Sequence, residues 1–381
     1  MTTASGSSVE FHAAVPVWRD ADVLVVGGGP AGLASAIASA RNGARTILVE
    51  RYGFLGGTAS AGLVGPFMGV FAGNGERVQL IRGIFDEIVR RLEELGGAIH
   101  PSKVRLGEGH AGFRLPGHNG VTPFDPETLK LVAAEMCVEA DVKLCLHSQF
   151  IQPLLRDGWF AGIIVANKSG LQAIKASIVI DCTGDGDVAA AAGVPMVKGR
   201  GPDGLGQAAT LFFRIKNVDD ERVERYAREN PQDGVVGKPF ASLVAKAKVA
   251  GDFDLPRDRI NFYRSPEAGV WGVNASRILR VDGTNVEDLT RAELEGRRQV
   301  VALLRFLRKY VPGCERATLA VTATQIGIRE SRRIVGEYVL TLEDLQTARC
   351  FPDAIALYNY PVDIHSPTDG TGGILVDIAM A

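Results

Sequence analysis

A glycine-rich hexapeptide near the start of the chain constrains its fold more than any other feature. Residues 27–32 read GGGPAG, directly after the apolar run at 23–26 and before a stretch of small residues. A second apolar run, residues 46–49, ends at Glu50. A strand, a tight glycine turn, a helix and a second strand in this order predict the βαβ unit of a doubly wound α/β sheet.

Each residue of the hexapeptide suits one steric demand of such a unit. Gly27 permits the tight turn, Gly29 leaves room for a phosphate beside the backbone, and Gly32 lets the helix pack closely on the strand. Pro30 fits the first helical position because the N–H that it lacks would be unpaired there. The free N–H groups and the positive helix end predict a bound diphosphate, and Glu50 predicts a hydrogen bond to a ribose hydroxyl.

Composition and charge exclude several classes of protein. The 381-residue chain has a formal net charge of −2 and no basic run, so we predict no nucleic-acid partner. The uncharged stretch at 23–40 contains glycines, a proline and serines, which suit a buried strand and helix better than a membrane span. The first 20 residues do not resemble a secretion signal, so we expect a cytoplasmic protein.

The dispersed cysteines and histidines predict no metal site. Five cysteines without a C-x-x-C pair exclude the usual spacings of an iron–sulfur cluster or a structural zinc. His100, His110 and His118 have irregular spacing and no nearby carboxylate pair. Cys182 follows an apolar strand beside the predicted cleft, where it is either a redox residue or a small buried core residue.

Shifts in the residue pattern divide the chain into four predicted segments. These are a disordered lead at 1–20, a dinucleotide-binding domain at 21–195, a mixed α/β substrate domain at 196–285, and a helix and interface segment at 286–381 that returns toward the cofactor cleft. Within the first domain, Asp157-Gly158 between two apolar runs predicts a β-hairpin over 150–166.

Helical periodicity and capping residues predict three helices outside the first unit. The first spans 81–95 before a Gly-Gly stop, and the second begins with Asp125 as its N-cap and runs to about residue 140. Thr290 and Glu293 match a capping box, which predicts that a long helix begins there and continues to about Tyr310.

A second glycine-rich strand end predicts that two loops share one crevice. Residues 181–187 read DCTGDGD after an apolar strand. Ligands of a doubly wound sheet bind at the carboxyl ends of its strands, so we expect this segment beside the first glycine turn. Asp185 and Asp187 either bind hydroxyl groups of an extended cofactor or cap a helix that begins at Val188.

Four motifs in order resemble one known family. They are ER at 50–51 with LGGT at 55–58, DCTGDGD at 181–187, IGIRESRR at 326–333, and YPVDIH at 360–365. Together they are similar to the FAD-dependent oxidoreductase family related to the flavoprotein part of heterodisulfide reductase. The resemblance covers residues 21–365. It implies a Rossmann-like, glutathione-reductase-like FAD-binding domain in an α/β fold, with a second mixed α/β substrate domain.

The resemblance also implies FAD as the cofactor and assigns residues around it. Gly56, Gly57 and Thr58 are expected near the flavin, and the backbone around Phe150 near the adenine. Relatives that hold iron–sulfur clusters have grouped cysteines, which this chain lacks, so no cluster is expected. The motif and the resemblance together give the predicted cofactor-binding set: Gly27, Gly28, Gly29, Pro30, Ala31, Gly32, Glu50, Arg51, Gly56, Gly57, Thr58, Phe150, Thr183, Gly184 and Asp185.

Three residues are candidates for catalysis. His365 is the candidate base because histidine titrates near neutral pH. Arg329 or Arg332 is suited to bind an anionic substrate group through a bidentate fork. The alternatives are a structural role for His365 and ion pairs of the arginines with Glu330 and Glu337.

The predicted function is an FAD-dependent dehydrogenase or oxidase that transfers a hydride from a small-molecule substrate to the flavin. Its electron acceptor is unknown, and a second copy of the chain is a further predicted partner. One alternative is a nicotinamide-dependent dehydrogenase, which shares only the first βαβ unit. Another is a truncated, inactive member, because similar proteins continue past His365 with a strand, a glycine-arginine turn and a helix, whereas this chain stops at Ala381.

Overall fold

The computed structural model describes residues 8–71, 78–105, 109–111, 121–201, 203–233, 238–357, 360, 362–368 and 374–376. Its first sheet has six strands: β1 (Val17–Val26), β2 (Thr46–Val49), β3 (Lys143–Cys145), β4 (Gln149–Arg156), β5 (Trp159–Asn167) and β6 (Gly170–Asp181). Three helices connect β1 to β2 and β2 to β3: α1 (Pro30–Arg41), α2 (Ile84–Glu94) and α3 (Pro126–Glu139).

The strand order of this sheet confirms the predicted βαβ unit. In space the strands run β3-β2-β1-β6-β5-β4. β1 pairs in parallel with β2 and β6, and β2 pairs in parallel with β3. β4 and β5 form the predicted antiparallel hairpin, and β5 also pairs antiparallel with β6. The parallel half therefore brings four carboxyl strand ends to one edge of the sheet.

Both faces of β1 are buried over residues 23–26, which explains the continuous apolar sequence there. Val23 and Val25 pack against helices α1 and α3, whereas Leu24 and Val26 pack with Ile163 on the opposite face. Side chains alternate across a strand, so one apolar run supplies both cores.

The remaining elements build a second layer and several small ribbons. In chain order they are α4 (Asp187–Ala191), β7 (Met196–Lys198), β8 (Phe213–Lys216), α5 (Asp220–Glu229), α6 (Ala241–Val249), β9 (Asn261–Arg264), β10 (Trp271–Asn274), α7 (Val286–Tyr310), β11 (Thr318–Thr322), β12 (Arg332–Ile334), α8 (Leu342–Gln346), β13 (Val362–Ile364) and β14 (Ile374–Val376). An antiparallel sheet has the order β11-β8-β10-β9, and the pairs β7–β12 and β13–β14 form two-stranded ribbons.

The second sheet differs from the predicted segment boundary at residue 285. Strand β11 lies beyond that boundary and pairs with β8, and α7 packs its apolar side into the same core. This core contains fully buried large side chains, among them Trp271, Phe213, Phe240, Phe262 and Phe306. The substrate-side layer therefore includes the long helix and the strand after it.

Two predicted element starts are wrong. β1 begins at Val17, inside the predicted disordered lead, because residues 17–22 extend the pairing with β6. The long helix begins at Val286 rather than at the Thr290 capping box. Asn285 is its N-cap, since its side chain accepts hydrogen bonds from the N–H groups of Glu287 and Asp288. A stronger local cap five residues earlier thus replaces the predicted one.

A buried ion pair connects the two layers. Arg214 on β8 donates to an Asp125 carboxylate oxygen at 2.8 Å and to the Phe124 carbonyl at 2.8 Å. Asp125 also accepts from the N–H of Thr128 at 2.8 Å, which confirms its predicted role as the N-cap of α3. Burial raises the pKa of Asp125, but Thr128 and Arg214 outweigh it and hold the pKa below its usual value. No helix within the described ranges is long and apolar enough to cross a membrane.

Candidate functional site

The carboxyl ends of the parallel strands converge on one cleft. Val26 at the end of β1 is in register with Val49 of β2 and Asp181 of β6. The residues that follow these strands are Gly27, Glu50 and Cys182, and all three line the cleft. Ligands of doubly wound folds bind at this position, where the loops diverge and leave a crevice.

Most of the predicted cofactor residues meet in this cleft. Those that line it are Gly27, Gly29, Pro30, Ala31, Glu50, Arg51, Gly57, Thr58, Phe150, Thr183 and Gly184. Gly28, Gly32, Gly56 and Asp185 lie behind the lining and support it. The lining also includes residues outside the predicted cofactor-binding set: Val26, Val49, Tyr52, Ser148, Gln149, Cys182, Asp187 and Gln325.

Gly29 leaves an open space at the start of α1. A Cβ at Gly29 would meet only the Cα of Gly57, at 3.7 Å, so the backbone itself tolerates a side chain there. Gly29 is the N-cap of α1, and no side chain among the described residues caps this helix. Within the described ranges the N–H groups of Ala31 and Gly32 have no hydrogen-bond partner, and a helix start of this kind attracts an anion.

Gly27 and Gly32 have a different task, which is close packing. A Cβ at Gly27 would lie 2.3 Å from the carbonyl oxygen of Cys182, and Gly27 has a φ of +102°. A Cβ at Gly32 would lie 1.8 Å from the carbonyl oxygen of Gly27. These two glycines therefore allow the turn and the helix to form at all.

The Glu50 carboxylate is buried and fixed by two backbone donors. One of its oxygens accepts from the N–H of Gly28 at 2.7 Å, and the other accepts from the N–H of Tyr52 at 2.9 Å. Each carboxylate oxygen has a further lone pair for a ligand hydroxyl. Gly28 and Gly56 support this arrangement, since the N–H of Gly56 donates to the Gly28 carbonyl at 2.8 Å.

A segment from the second layer closes one side of the cleft. The side-chain oxygen of Gln325 accepts from the Arg51 guanidinium and from the Tyr52 hydroxyl. Beside it, the N–H of Thr324 donates to the Ala61 carbonyl at 2.7 Å. Burial raises the pKa of Tyr52, so its hydroxyl stays protonated and available to donate. These contacts join residues more than 260 positions apart, which no local sequence pattern reveals.

The second glycine-rich strand end is organised by Asp181. Its carboxylate accepts from the N–H and the hydroxyl of Thr183 and from the N–H of Ala189. The N-cap of α4 is Gly186, so the alternative in which Asp185 and Asp187 cap this helix is wrong. Asp181 instead supplies the nearby acceptor, from the end of the strand.

Asp185 and Asp187 face the third family motif. An Asp185 carboxylate oxygen accepts from the Ser331 hydroxyl at 2.6 Å. Arg332 donates to the Asp185 carbonyl at 2.8 Å and pairs with the Asp187 carboxylate. Burial and the neighbouring Asp185 raise the pKa of Asp187 despite this pairing. Arg332 therefore holds the glycine turn in place, and its guanidinium is engaged by the protein.

The other candidate catalytic residues lie outside the lining of the cleft. His365 is half-buried, with Nε2 3.3 Å from an Asp363 carboxylate oxygen. Its Nδ1 is buried and has no hydrogen-bond partner within the described ranges. Arg329 lies close enough to Arg257 to depress the pKa of that residue. Glu330 and Glu337 were the alternative ion-pair partners of the two candidate arginines. Glu330 pairs with Arg333 instead.

The structure also shows the surroundings of Cys182 and of the histidines that were considered as metal ligands. Cys182 is half-buried under the glycine turn, and burial raises the pKa of its thiol, which favours the core interpretation. His100 lies beside Ser102 and Asp86, and His110 beside the Arg264 carbonyl. His118 lies outside the described residues. Within those residues, no group of three potential metal ligands comes together.

Comparison with known families identifies the family of this chain. The family model described as FAD dependent oxidoreductase matches residues 22–378. The chain belongs to this family. It is thus an FAD-dependent oxidoreductase with FAD as its cofactor, which confirms the predicted fold class and selects FAD over the nicotinamide alternative. The expectation of a missing closing segment stays a prediction.

Individual relatives of this FAD-dependent oxidoreductase are distant. Thiamine thiazole synthase from Methanococcus aeolicus is 27% identical over 186 residues, which are 46% of this chain and 60% of that protein. Dihydrolipoyl dehydrogenase from Trypanosoma brucei brucei is 48% identical over 48 residues, 13% of this chain and 10% of that protein. The matched part thus spans less than two thirds of the length of either relative.

Solved structures resemble this FAD-dependent oxidoreductase only at low similarity. L-amino acid deaminase from Proteus vulgaris has a TM-score of 0.47 and 16% identity, over 87% of this chain and 83% of that chain. The myxobacterial chondrochloren halogenase CndH has a TM-score of 0.47 and 14% identity, over 82% of this chain and 64% of that chain. Neither similarity identifies the reaction of this chain.

Proposed function

We propose that this protein oxidises a small molecule by transferring a hydride from it to FAD, as a dehydrogenase or an oxidase. The observation that carries the proposal is the cleft where three strand ends meet around an open helix start at Gly29 and a fixed carboxylate at Glu50. These groups suit the diphosphate and a ribose of a dinucleotide.

The residues present fit FAD. The N–H groups of Ala31 and Gly32 would hold the diphosphate, in the space that the missing side chain of Gly29 leaves. Glu50 would accept from a ribose hydroxyl, and Gly57 and Thr58 line the same cleft, with Gly57 directly beside Gly29. When bound, FAD supplies the acceptor for two electrons.

His365 is the proposed acceptor of the substrate proton. Oxidation of an alcohol or amine releases a hydride and a proton, and the proton needs a base. Because Nε2 lies 3.3 Å from the Asp363 carboxylate, a proton on Nε2 orients the ring and leaves the Nδ1 lone pair to accept. Arg332 is proposed to position the turn at 184–187 rather than to contact the substrate.

An absorbance spectrum of the purified protein tests the cofactor, and anaerobic reduction tests the chemistry. We expect flavin absorbance in the protein fraction, bleaching when a substrate is added without oxygen, and recovery when an electron acceptor is admitted. Recovery with oxygen alone identifies an oxidase, and recovery only with another acceptor identifies a dehydrogenase. A protein that stays colourless after incubation with excess FAD contradicts the proposal.

A further inference from the structure

One glutamine from the second layer reaches the cofactor cleft. Gln325 lies between β11 and β12, and among the described residues of the lining it is the only one that follows residue 187. Its side-chain oxygen accepts from the Arg51 guanidinium and the Tyr52 hydroxyl, which both belong to the lining. Because arginine only donates, the amide atom that faces Arg51 is the oxygen. The orientation of the amide is therefore fixed, and Nε2 is the atom that these two residues do not engage.

The backbone on both sides of Gln325 is anchored. The two N–H groups before it and the two after it each donate to a partner outside the segment. In chain order the acceptors are the Phe212 carbonyl at 2.9 Å, the Ala61 carbonyl at 2.7 Å, a Glu293 carboxylate oxygen at 2.6 Å and the Thr210 carbonyl at 2.8 Å. A side chain on such a segment loses little conformational freedom when it binds a ligand.

The amide nitrogen of Gln325 has unused donor capacity. A side-chain amide carries two N–H donors on Nε2. Within the described part of the chain, Gln325 accepts two hydrogen bonds and donates none through Nε2. The nitrogen is also absent from the buried side-chain atoms that lack a partner, so it is accessible. An accessible donor on a residue that lines the cleft is available to a ligand there.

The contacts of Gln325 place it at the part of the cleft proposed for the ribose and the diphosphate. On one side it contacts Tyr52, whose N–H donates to the Glu50 carboxylate at 2.9 Å. On the other side its segment is anchored to Ala61, whose N–H donates at 2.7 Å to the carbonyl of Gly57, beside the open helix start. The ADP half of FAD is the part that these two sides would bind.

We propose that Gln325 is a cofactor-binding residue, which donates through Nε2 to an oxygen of the ADP half of FAD while its own oxygen holds Arg51 and Tyr52. Diphosphate oxygens only accept, and ribose oxygens accept as well, so an amide donor matches either. FAD would then contact both layers of the fold. The proposal rests on the location of FAD given under the proposed function and not on hydride transfer.

Gln325→Glu separates the donor from the structural contacts of this side chain. The carboxylate has nearly the same size and still accepts from Arg51 and Tyr52, but it donates nothing and repels the diphosphate. We expect the dissociation constant of FAD to rise about 10- to 100-fold in a fluorescence titration of the apoprotein. The Tm of the apoprotein should stay within about 2 °C of the wild-type value, because both contacts of the oxygen remain. An unchanged FAD affinity overturns the proposal.

Two further variants assign the loss to the missing donor. Gln325→Met keeps the length of the side chain without a charge and should also weaken FAD binding by about 10-fold. Wild-type affinity in Gln325→Met overturns the proposal, because repulsion alone would then explain Gln325→Glu. Gln346→Glu makes the same chemical change at the exposed end of α8 and is the matched control. An equal loss in Gln346→Glu also overturns the proposal.

Calorimetric titration of the apoprotein with ADP locates the contact on the cofactor. Gln325→Glu should weaken ADP binding by a factor similar to that for FAD. A loss of FAD affinity with unchanged ADP affinity overturns the assignment to the ADP half.

Gly29→Val distinguishes a failure of this inference from a failure of the proposed cofactor location. If Gly29→Val loses FAD affinity and Gln325→Glu does not, only the inference is wrong. If neither variant loses affinity, FAD lies elsewhere and the proposed location is wrong as well.

Discussion

Replacing Gly29 by valine separates cofactor binding from folding. A Cβ at this position meets only Gly57 at 3.7 Å, so the polypeptide accommodates it. Gly29 has φ −71° and ψ −174°, an extended conformation that valine adopts readily. The loss of glycine at the N-cap costs about 1 kcal/mol of folding stability. The fold should therefore persist, with a Tm lowered by a few degrees at most.

The expected loss of FAD affinity is much larger. The valine side chain fills the space through which a phosphate reaches the N–H groups of Ala31 and Gly32. A hydrogen bond to a charged group contributes about 1.5–3 kcal/mol, so losing both costs about 3–6 kcal/mol. This corresponds to a dissociation constant about 100- to 30,000-fold higher. Fluorescence titration of the apoprotein with FAD measures it.

Two further glycine variants serve as controls for Gly29→Val. Gly201→Val alters an exposed glycine with ordinary φ and open surroundings, and it should change neither the Tm nor the FAD affinity. Gly32→Ala puts a Cβ 1.8 Å from the Gly27 carbonyl oxygen and should impair folding itself. Gly29→Val protein with wild-type affinity for FAD refutes the reasoning, because the diphosphate would then lie elsewhere.

Three other changes probe the supporting contacts. Glu50→Gln places an amide against the N–H donors of Gly28 or Tyr52 and should weaken FAD binding about 10- to 100-fold in the same titration, whereas an unchanged affinity argues against a ribose contact. Asp125→Asn keeps the cap but loses the charge pair with Arg214, so it should lower stability to urea by about 1–3 kcal/mol at pH 7. Because the pKa of Asp125 is depressed in the fold, its contribution is complete above about pH 4 and declines as the pH falls further. The difference in stability between the two proteins should therefore shrink on acidification below about pH 4, and a constant difference contradicts this. His365→Gln should slow anaerobic flavin reduction about 100- to 10,000-fold without changing FAD affinity, and an unaltered rate removes it as the base.

Local steric demands explain why the first βαβ unit could be predicted in detail. Only glycine fits at positions 27 and 32, and a proline can start a helix without losing a hydrogen bond, so the hexapeptide encodes its own geometry. The hairpin turn at Asp157-Gly158 is equally local. Eleven predicted cofactor residues thus line the observed cleft.

Long-range partners explain the parts that the sequence did not reveal. Gln325 reaches the cleft by contacts with Arg51 and Tyr52, which are more than 270 positions away. The motif predicted that Arg332 binds an anionic substrate group, yet in the fold its guanidinium pairs with the Asp187 carboxylate. A charged loop in a sequence indicates a solvated surface, yet Arg257 is buried. Its burial depends on how the loop packs, which no local pattern shows.

A crystal structure of the FAD complex tests the central claim most directly. The account predicts diphosphate oxygens within hydrogen-bond distance of the Ala31 and Gly32 N–H groups, and a ribose hydroxyl on the Glu50 carboxylate. A diphosphate bound away from the helix start at Gly29, with Glu50 free of the ribose, would contradict it.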